Sequence, residues 1–383
     1  MSRFIIFYFV FYGGAHAYVY LKLWSGLPLS RRAKLLLTLP LALLFIAPLL
    51  ARTLDQRGFD LAAGAASSAG YWWMGLMFLF VSFSLPLDTV NLLLLATKKL
   101  LNNQRMKLIP AGLSVALPAC YAVTVAAYGW QEARTIRTEQ VTLVTPKIPS
   151  EIGRVRLVQI SDVHAGQIVR EKRIREILRV VAAASPDLVI STGDLVDGHQ
   201  KHFKGLEPLF RGISAPLGKY AVTGNHEFYV GLDKAVKFTE EAGFKVLMDE
   251  NAGVGDFLTI TGVADPSNNR KPSPGQKRGE SDLLAAADKK HFVLLLKHRP
   301  EILQSSRGLF DLQLSGHVHK GQIFPFNIIT WLAYPIRTGL SDLEKGSQIY
   351  VSRGTGVWGP PIRFLAPPEV TVIDLVAGKK PSP

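Results

Sequence analysis

The run Arg154-Val-Arg-Leu-Val-Gln-Ile160 leads directly into Ser161-Asp162-Val163-His164. A short Val/Ile/Leu-rich segment ending in a polar cluster reads as a buried strand that delivers side chains to a site at its carboxyl end. The same pattern recurs four times. Asp187–Ser191 precedes Gly193-Asp194, and Lys219–Thr223 precedes Gly224-Asn225-His226-Glu227. Phe292–Leu296 precedes Lys297-His298, and Asp311–Leu314 precedes Gly316-His317-Val318-His319. Between the first two segments, Ile174, Ile177, Leu178 and Val181 fall at helical spacing. Strands alternating with helices predict an α/β domain, and in open α/β sheets ligands bind where the loops at the strand carboxyl ends converge.

The residue types in those loops specify the chemistry. Imidazole, carboxylate and amide oxygen together suit divalent Mn, Fe or Zn, and the single cysteine, Cys120, excludes a thiolate site and an internal disulfide framework. Two Asp, one Asn and four His are too many ligands for one tetrahedral ion and fit two ions sharing a bridging carboxylate. Such a pair clamps the attacking and leaving oxygens of an in-line phosphoryl displacement. The glycines at 193, 224 and 316 are expected to let the backbone turn sharply at the strand ends.

The ordered series Asp162-x-His164, Gly193-Asp194, Gly224-Asn225-His226-Glu227, His298 and Gly316-His317-x-His319 resembles the calcineurin-like metallophosphoesterase superfamily over about residues 150–375. With the apolar region that precedes it, the chain is similar to the membrane-attached, predicted-phosphohydrolase branch. The resemblance implies a four-layer α/β (α+β) domain, two packed β-sheets flanked by helices. It also implies roles. Asp162, His164 and His319 would hold one metal, and Asn225, His298 and His317 the other, with Asp194 bridging. His226 would protonate the leaving oxygen or steady the phosphoryl group. Glu227 stands where many relatives have Asp, a position that is not a ligand.

The first 130 residues differ in kind. They hold 11 of the 44 Lys and Arg but only three of the 30 acids, so +8 of the +14 net charge lies among apolar runs. Charge so placed signals membrane topology and not nucleic-acid binding. Four apolar stretches, at 4–21, 35–51, 70–96 and 108–130, predict a four-helix transmembrane bundle. Lys22, Arg31, Arg32 and Lys34 follow the first stretch, and Lys98, Lys99, Arg105 and Lys107 follow the third. Arg52 and Arg57 after the second are offset by Asp55 and Asp60. Positive-inside counting then puts both termini and the catalytic domain outside the cytoplasm, as in a bacterial inner-membrane protein. Ala15-His16-Ala17 also resembles a signal-peptidase site, and cleavage there would leave the catalytic domain on the same side. The expected organisation is an anchor at 1–130, a linker at 131–149, the catalytic domain at 150–376 and a tail at 377–383.

Three other features bear on function. His199, His202 and His16 read as structural or solvated, and His291 as the start of a strand. The basic segment Asp265–Ser281 reads as a solvated loop. Phe324–Tyr334, directly after the His-x-His motif and near Trp358, reads either as core or as an insertion into a lipid interface. The expected activity is hydrolysis of a phosphodiester or pyrophosphate by a metal-bridged hydroxide, on an amphiphilic lipid or envelope precursor, with membrane lipids as partners. The alternatives are a phosphomonoesterase or phosphoprotein phosphatase, and a non-catalytic membrane protein using the fold as a binding module.

Overall fold

The structure is a computed structural model that describes Ile6, residues 8–267 and residues 279–379. The basic residues Arg270, Lys271, Lys277 and Arg278 lie outside the described residues. The chain forms two compact units. One comprises Met1–Gln131 together with Gly359–Phe364, and the other comprises Glu132–Trp358 and Leu365–Pro383.

In the first unit, helix α1 (Gly13–Gly26) follows a π-helical turn at Tyr8–Tyr12; α2 is Thr38–Gln56, α3 Asp60–Leu100 and α4 Ala111–Arg134. Among the described residues three helical stretches are long and apolar enough to cross a membrane: Arg31–Gln56, Asp60–Leu100 and Ala111–Arg134. This corrects the expectation of four. The stretch at 4–21 includes residues outside the described set, and its described part is a π-helical turn followed by a helix of 14 residues that carries the polar His16, Tyr18 and Lys22. Those polar residues are paired. The His16 Nδ1–H donates to the Tyr12 carbonyl at 2.8 Å, and Trp73 Nε1–H donates to His16 Nε2 at 2.7 Å. Lys22 pairs with Asp88, which also accepts from Tyr18 at 2.6 Å. Polar groups among apolar helices are costly unless partnered, and α1 and α3 satisfy one another at both levels. Gly359–Phe364 packs within this unit: Ile362 lies so close to Gly75 that a Cβ there would sit 2.7 Å from it, and Arg363 N donates to Gly129 O at 2.9 Å.

The second unit is two six-stranded sheets. The first contains β1 (Arg137–Thr145), β2 (Arg154–Ile160), β3 (Leu188–Ser191), β4 (Lys219–Ala221), β5 (Lys245–Val246) and β12 (Glu369–Ala377). Its order is β1-β12-β2-β3-β4-β5, parallel except where β12 meets β2. The second contains β6 (Glu250–Val254), β7 (Leu258–Val263), β8 (Phe292–Lys297), β9 (Leu312–Ser315), β10 (Gly339–Asp342) and β11 (Gln348–Val351). Its order is β10-β11-β9-β8-β7-β6, antiparallel only at its two edges.

The two-residue period of a strand sorts the aliphatics into layers. Leu157, Leu188, Ile190, Leu294, Leu296 and Leu314 point between the sheets and form one core. Val158, Ile160 and Val189 face the other way, onto Ile174, Ile177 and Val181 of helix α5 (Glu171–Ala183). Val293 and Leu295 face outward from the second sheet onto Leu284 and Phe310. These layers are the two packed sheets with flanking helices that the resemblance implied.

Two boundaries differ from expectation. The segment 131–149 is not a linker: α4 runs to Arg134 and β1 starts at Arg137, pairing along its whole length with β12. The connection is therefore two residues, Thr135 and Ile136, and not about twenty. Arg173 of α5 donates to the carbonyls of Ala133 (2.7 Å) and Arg134 (2.8 Å), satisfying the end of that helix with a cation. The span 150–376 is also interrupted, since Gly359–Phe364 belongs to the helical unit.

Candidate metal centre

Each of the five polar loops leaves the carboxyl end of a strand and meets the others at one place. Asp162 and His164 follow β2, Asp194 follows β3, Asn225 and His226 follow β4, His298 follows β8, and His317 and His319 follow β9. Asp162, His164, Asp194, His317 and His319 all have φ between 47° and 70°. Non-glycine residues rarely adopt this left-handed conformation, and five together are characteristic of backbone held to aim side chains. The glycines serve mainly to permit close approach. A Cβ on Gly224 would lie 2.2 Å from Asp194 Oδ1, and one on Gly316 1.9 Å from Ser161 Oγ. Only Gly193, at φ +96°, provides the turn expected of all three.

Three groups of donor atoms result, each within 4.8 Å: Asp162, His164 and His319; His164, Asp194 and His226; and Asp194, His298 and His317. Asp194 is common to two of them. Its Oδ2 is 3.2 Å from His298 Nε2 and 3.9 Å from His164 Nε2, and its Oδ1 accepts the His226 N–H at 2.8 Å. His319 Nε2 lies 3.4 Å from Asp162 Oδ1. The groups thus gather Asp162, His164, Asp194, His226, His298, His317 and His319. Asn225, the remaining expected ligand, directly precedes His226, whose backbone is bonded to Asp194.

Several features fit divalent cations between these groups. His164 Nε2 faces His319 Nε2 at 3.1 Å, and His317 Nδ1 faces His298 Nε2 at 3.1 Å. Each pair can be a hydrogen bond in one tautomer; when the ring protons sit on the outer nitrogens instead, both facing nitrogens offer lone pairs that one cation could share. His298 Nδ1–H donates to the Thr192 carbonyl at 2.8 Å, which fixes the tautomer and leaves Nε2 as the ligand atom. Asn225 Oδ1 is buried with no hydrogen-bond partner among the described residues, the state of an oxygen reserved for a ligand.

The charges point the same way. Burial raises the Asp162 carboxyl to about 6, helped by Asp194 and opposed by His298. Burial would raise Asp194 too, but the surrounding imidazoles hold it well below the ordinary carboxylate value. Burial would lower His298, yet Asp194 lifts it to about 10. His164 and His317, by contrast, are pushed down to about 4 and about 3, burial first and neighbouring imidazoles second. The lowered His164 and His317 keep neutral lone pairs available to a cation, while Asp194 stays anionic beside them.

The catalytic unit, residues 155–321 of it, matches the family model described as calcineurin-like phosphoesterase. An uncharacterized metallophosphoesterase from Aquifex aeolicus (strain VF5) is 38% identical over 66% of this chain and 97% of its own length. This chain belongs to the calcineurin-like metallophosphoesterases. A transmembrane protein with metallophosphoesterase domain from Danio rerio is 28% identical, over 63% of this chain and 58% of that one. A solved 5'-nucleotidase precursor from Thermus thermophilus is more distant, at 17% identity and a TM-score of 0.36 over 58% of this chain and 54% of that one, a likeness too low to bear on chemistry.

Two residues at the metallophosphoesterase centre escape a reading of single motifs. Asp197 Oδ1 lies 2.8 Å from His226 Nδ1. Burial alone would lower the His226 pKa, but that hydrogen bond and the charges of Asp194, Asp197 and Glu227 raise it to about 9. Glu227 is the other. Its Oε1 accepts from the backbone N–H of Leu195 (2.7 Å) and Val196 (3.4 Å), and its Oε2 from those of Asp194 (3.0 Å) and Gly224 (2.7 Å). It is therefore placed as a clamp, holding the bridging-carboxylate loop to the Asn-His loop. The spacing Asp194-x-x-Asp197 was the signal for the first; a Glu directly after Asn-His was the signal for the second.

Aromatic rings surround His226 and the ligands. Trp358 and Tyr229 meet His226 edge-on at 5.7 and 5.2 Å, and Tyr334 meets His317 edge-on at 5.4 Å. Of the other histidines, His291 bonds Thr259 Oγ1 at the start of β8, and His199 accepts the Lys201 N–H within its own loop.

Proposed function

We propose that this protein hydrolyses a phosphodiester or pyrophosphate bond of an amphiphilic lipid or envelope precursor, on the outer face of a bacterial inner membrane, with two divalent ions. One observation supports the reaction class: a buried carboxylate, Asp194, that shares one donor group with His298 and His317 and another with His164, itself grouped with Asp162 and His319, beside an unpartnered Asn225 oxygen. Asp162, His164 and His319 would hold one ion and Asn225, His298 and His317 the other, with Asp194 between them. Bound there, Mn, Fe or Zn would polarise the phosphoryl oxygens and make water nucleophilic at neutral pH. The chain itself supplies the proton. His226 stays cationic through neutral pH because Asp197 holds its Nδ1–H, so its Nε2–H is available to the leaving oxygen. Glu227 keeps the two loops in register while this happens.

The membrane side of the proposal is supported by three apolar helices and by a two-residue connection from α4 to β1. At ~3.3–3.6 Å per residue, that connection keeps the start of the first sheet within roughly 10 Å of the helix end. The aromatic rim of Tyr229, Tyr334 and Trp358 suits a substrate with an apolar part.

The test uses the full chain in detergent, stripped by chelation and reloaded. An aryl phosphodiester and a polyprenyl pyrophosphate should be hydrolysed only with added metal, and both faster than an aryl monoester. Preference for the monoester would favour the phosphomonoesterase alternative. No hydrolysis of any ester with Mn, Fe or Zn would favour the binding module.

A further inference from the structure

The segment after the His-x-His motif resolves into a helix, α6 (Phe326–Ala333), none of whose residues is buried. Ile328 is 53% exposed, Ile329 55%, Trp331 56% and Leu332 70%. These values exclude core for the helix itself, while Tyr334 after it packs against Val318, Ile349 and Val351. Single exposed aliphatics are ordinary, but four large apolar side chains on one eight-residue helix form a contiguous face that water does not favour. The opposite side is fixed to the catalytic loops. The backbone of Asn327 lies against Gly321, where a Cβ would come within 2.3 Å of the Asn327 nitrogen. Tyr334, the next residue after the helix, touches the ligand His317.

We propose that α6 inserts its apolar face into the headgroup–acyl boundary of an anionic bilayer and so docks the metal centre on the membrane surface. The inference rests on the reading of this chain as membrane-attached, but not on its being catalytic. Three observations select a bilayer as the occupant. The first is continuity along the chain. Gln322 bonds Trp358 twice, through Trp358 N–H (3.0 Å) and Trp358 O (2.8 Å), and Trp358 is the last residue before Gly359–Phe364 enters the helical unit. Phe326 is four residues from Gln322, hence at most roughly 14 Å from it. The start of α6 is thus tied to Trp358, the residue next along the chain to Gly359–Phe364.

The second is charge. Between Asp311 and Asp342 the sequence has no acid, while Lys320 and Arg337 flank the helix, so its nearest charges along the chain are cations. That is the charge arrangement of an interfacial helix on anionic lipid. The third is composition: Trp331, Phe324, Phe326 and Tyr334 are the residue types that favour the boundary between water and hydrocarbon. A helix lying in that plane would put the rim of the metal centre at the depth of lipid phosphates.

The experiment uses the full chain in nanodiscs of phosphatidylethanolamine and phosphatidylglycerol. In a Cys120→Ser background, Ile329→Cys and, separately, the polar-surface control Lys237→Cys are labelled with an environment-sensitive fluorophore. The probe at 329 should emit at shorter wavelength than at 237. Nitroxide groups on the lipid acyl chains should quench it at least about twofold more strongly, as expected for a face ~5–10 Å into the boundary. Adding Trp331→Glu and Leu332→Glu should return both signals at 329 to the control values. Emission and quenching at 329 equal to those at 237 would overturn the proposal. So would a short-wavelength signal that lipid nitroxides do not quench, because that would mean protein covers the face, as in a dimer. Metal-dependent hydrolysis by the same samples is read separately, so loss of the phosphoesterase reading and loss of the docking reading are told apart.

Discussion

His226 Nδ1 and Asp197 Oδ1 lie 2.8 Å apart, so the imidazole that faces the metal centre is oriented and kept charged by a carboxylate from the neighbouring loop. His226→Ala should leave metal content near normal while lowering kcat ~10²–10⁴-fold, the usual loss for a general acid. Asp197→Asn should lower kcat in the same direction by less, with KM and metal content little changed. Metal analysis beside steady-state kinetics checks this, and loss of metal in either variant would show that the pair is structural.

Glu227 accepts four backbone N–H groups with its two oxygens. In Glu227→Gln one oxygen becomes an NH2 that can only donate, leaving N–H groups opposed by a donor. A buried unsatisfied polar group costs about 1–3 kcal/mol, so the melting temperature should fall and metal should bind more weakly. Glu227→Asp keeps two acceptors and should lose less of both. Thermal melts with and without metal separate the clamp from a direct ligand, because a clamp also lowers the metal-free melting temperature.

The candidate site was legible because each of its residues sits in a polar cluster after an apolar strand, so local pattern alone picked out Asp162, His164, Asp194, Asn225, His298, His317 and His319 as candidate ligands on loops that the fold brings together. Asp197 and Glu227 were not, since each acts on a loop about 30 residues away and their roles exist only once three loops converge. The strand at 137–145 was hidden by its position directly after an apolar helix, where two residues replace a linker. The exposure of α6 was equally hidden, because Ile, Leu, Phe and Trp compose both cores and interfaces. The π-helical turn at Tyr8–Tyr12 and the pairing of His16 and Lys22 similarly distinguish the first apolar stretch from the three longer helices in ways hydropathy does not register.

Metal stoichiometry distinguishes the bridging carboxylate from a terminal ligand. Asp194→Asn removes the anion common to two donor groups and should weaken both ions together. Asn225→Ala deletes a single buried oxygen and should release one ion while the other remains. Calorimetric titration of the chelated protein with Mn should therefore give near-zero and single-site binding, respectively. Equal loss in the two variants would argue against the division of ligands.

Within the first sheet, Arg156 grips Asp374 in the paired register of β2 and β12, with Nε–Oδ1 at 2.8 Å and Nη2–Oδ2 at 2.9 Å. That hydrogen bonding lowers the Asp374 pKa below its ordinary 3.8. A lowered native value means the stabilisation is present above the unfolded pKa and lost as pH falls through the native one. Asp374→Asn should thus melt earlier than the wild type at neutral pH, and the difference should shrink below about pH 4, where the carboxylate protonates first in the unfolded state and then in the native one. A difference independent of pH would mean that packing, and not charge, is responsible.

Orientation follows from the cations, whichever way the first apolar stretch lies. Lys98 and Lys99 end α3, Arg105 and Lys107 follow in the loop to α4, and Arg31, Arg32 and Lys34 begin the Arg31–Gln56 helix. All seven fall on one side if the three long helices cross. The turn between Gln56 and Asp60 holds Arg57 alone, flanked by Asp55 and Asp60, and falls on the opposite side, where α4 also ends. The orientation we propose, on the positive-inside rule, therefore has the catalytic unit outside the cytoplasm. A periplasm-active reporter fused at the C-terminus of the full chain should be active in a bacterial host, and a cytoplasm-active one silent. Reversing Lys98, Lys99, Arg105 and Lys107 to Glu should disturb this pattern, whereas changing Arg52 and Arg57 should not, because their side already carries compensating acids. A C-terminal reporter active only in the cytoplasm would reverse the orientation, and with it the case for an envelope precursor over a cytosolic phosphoester.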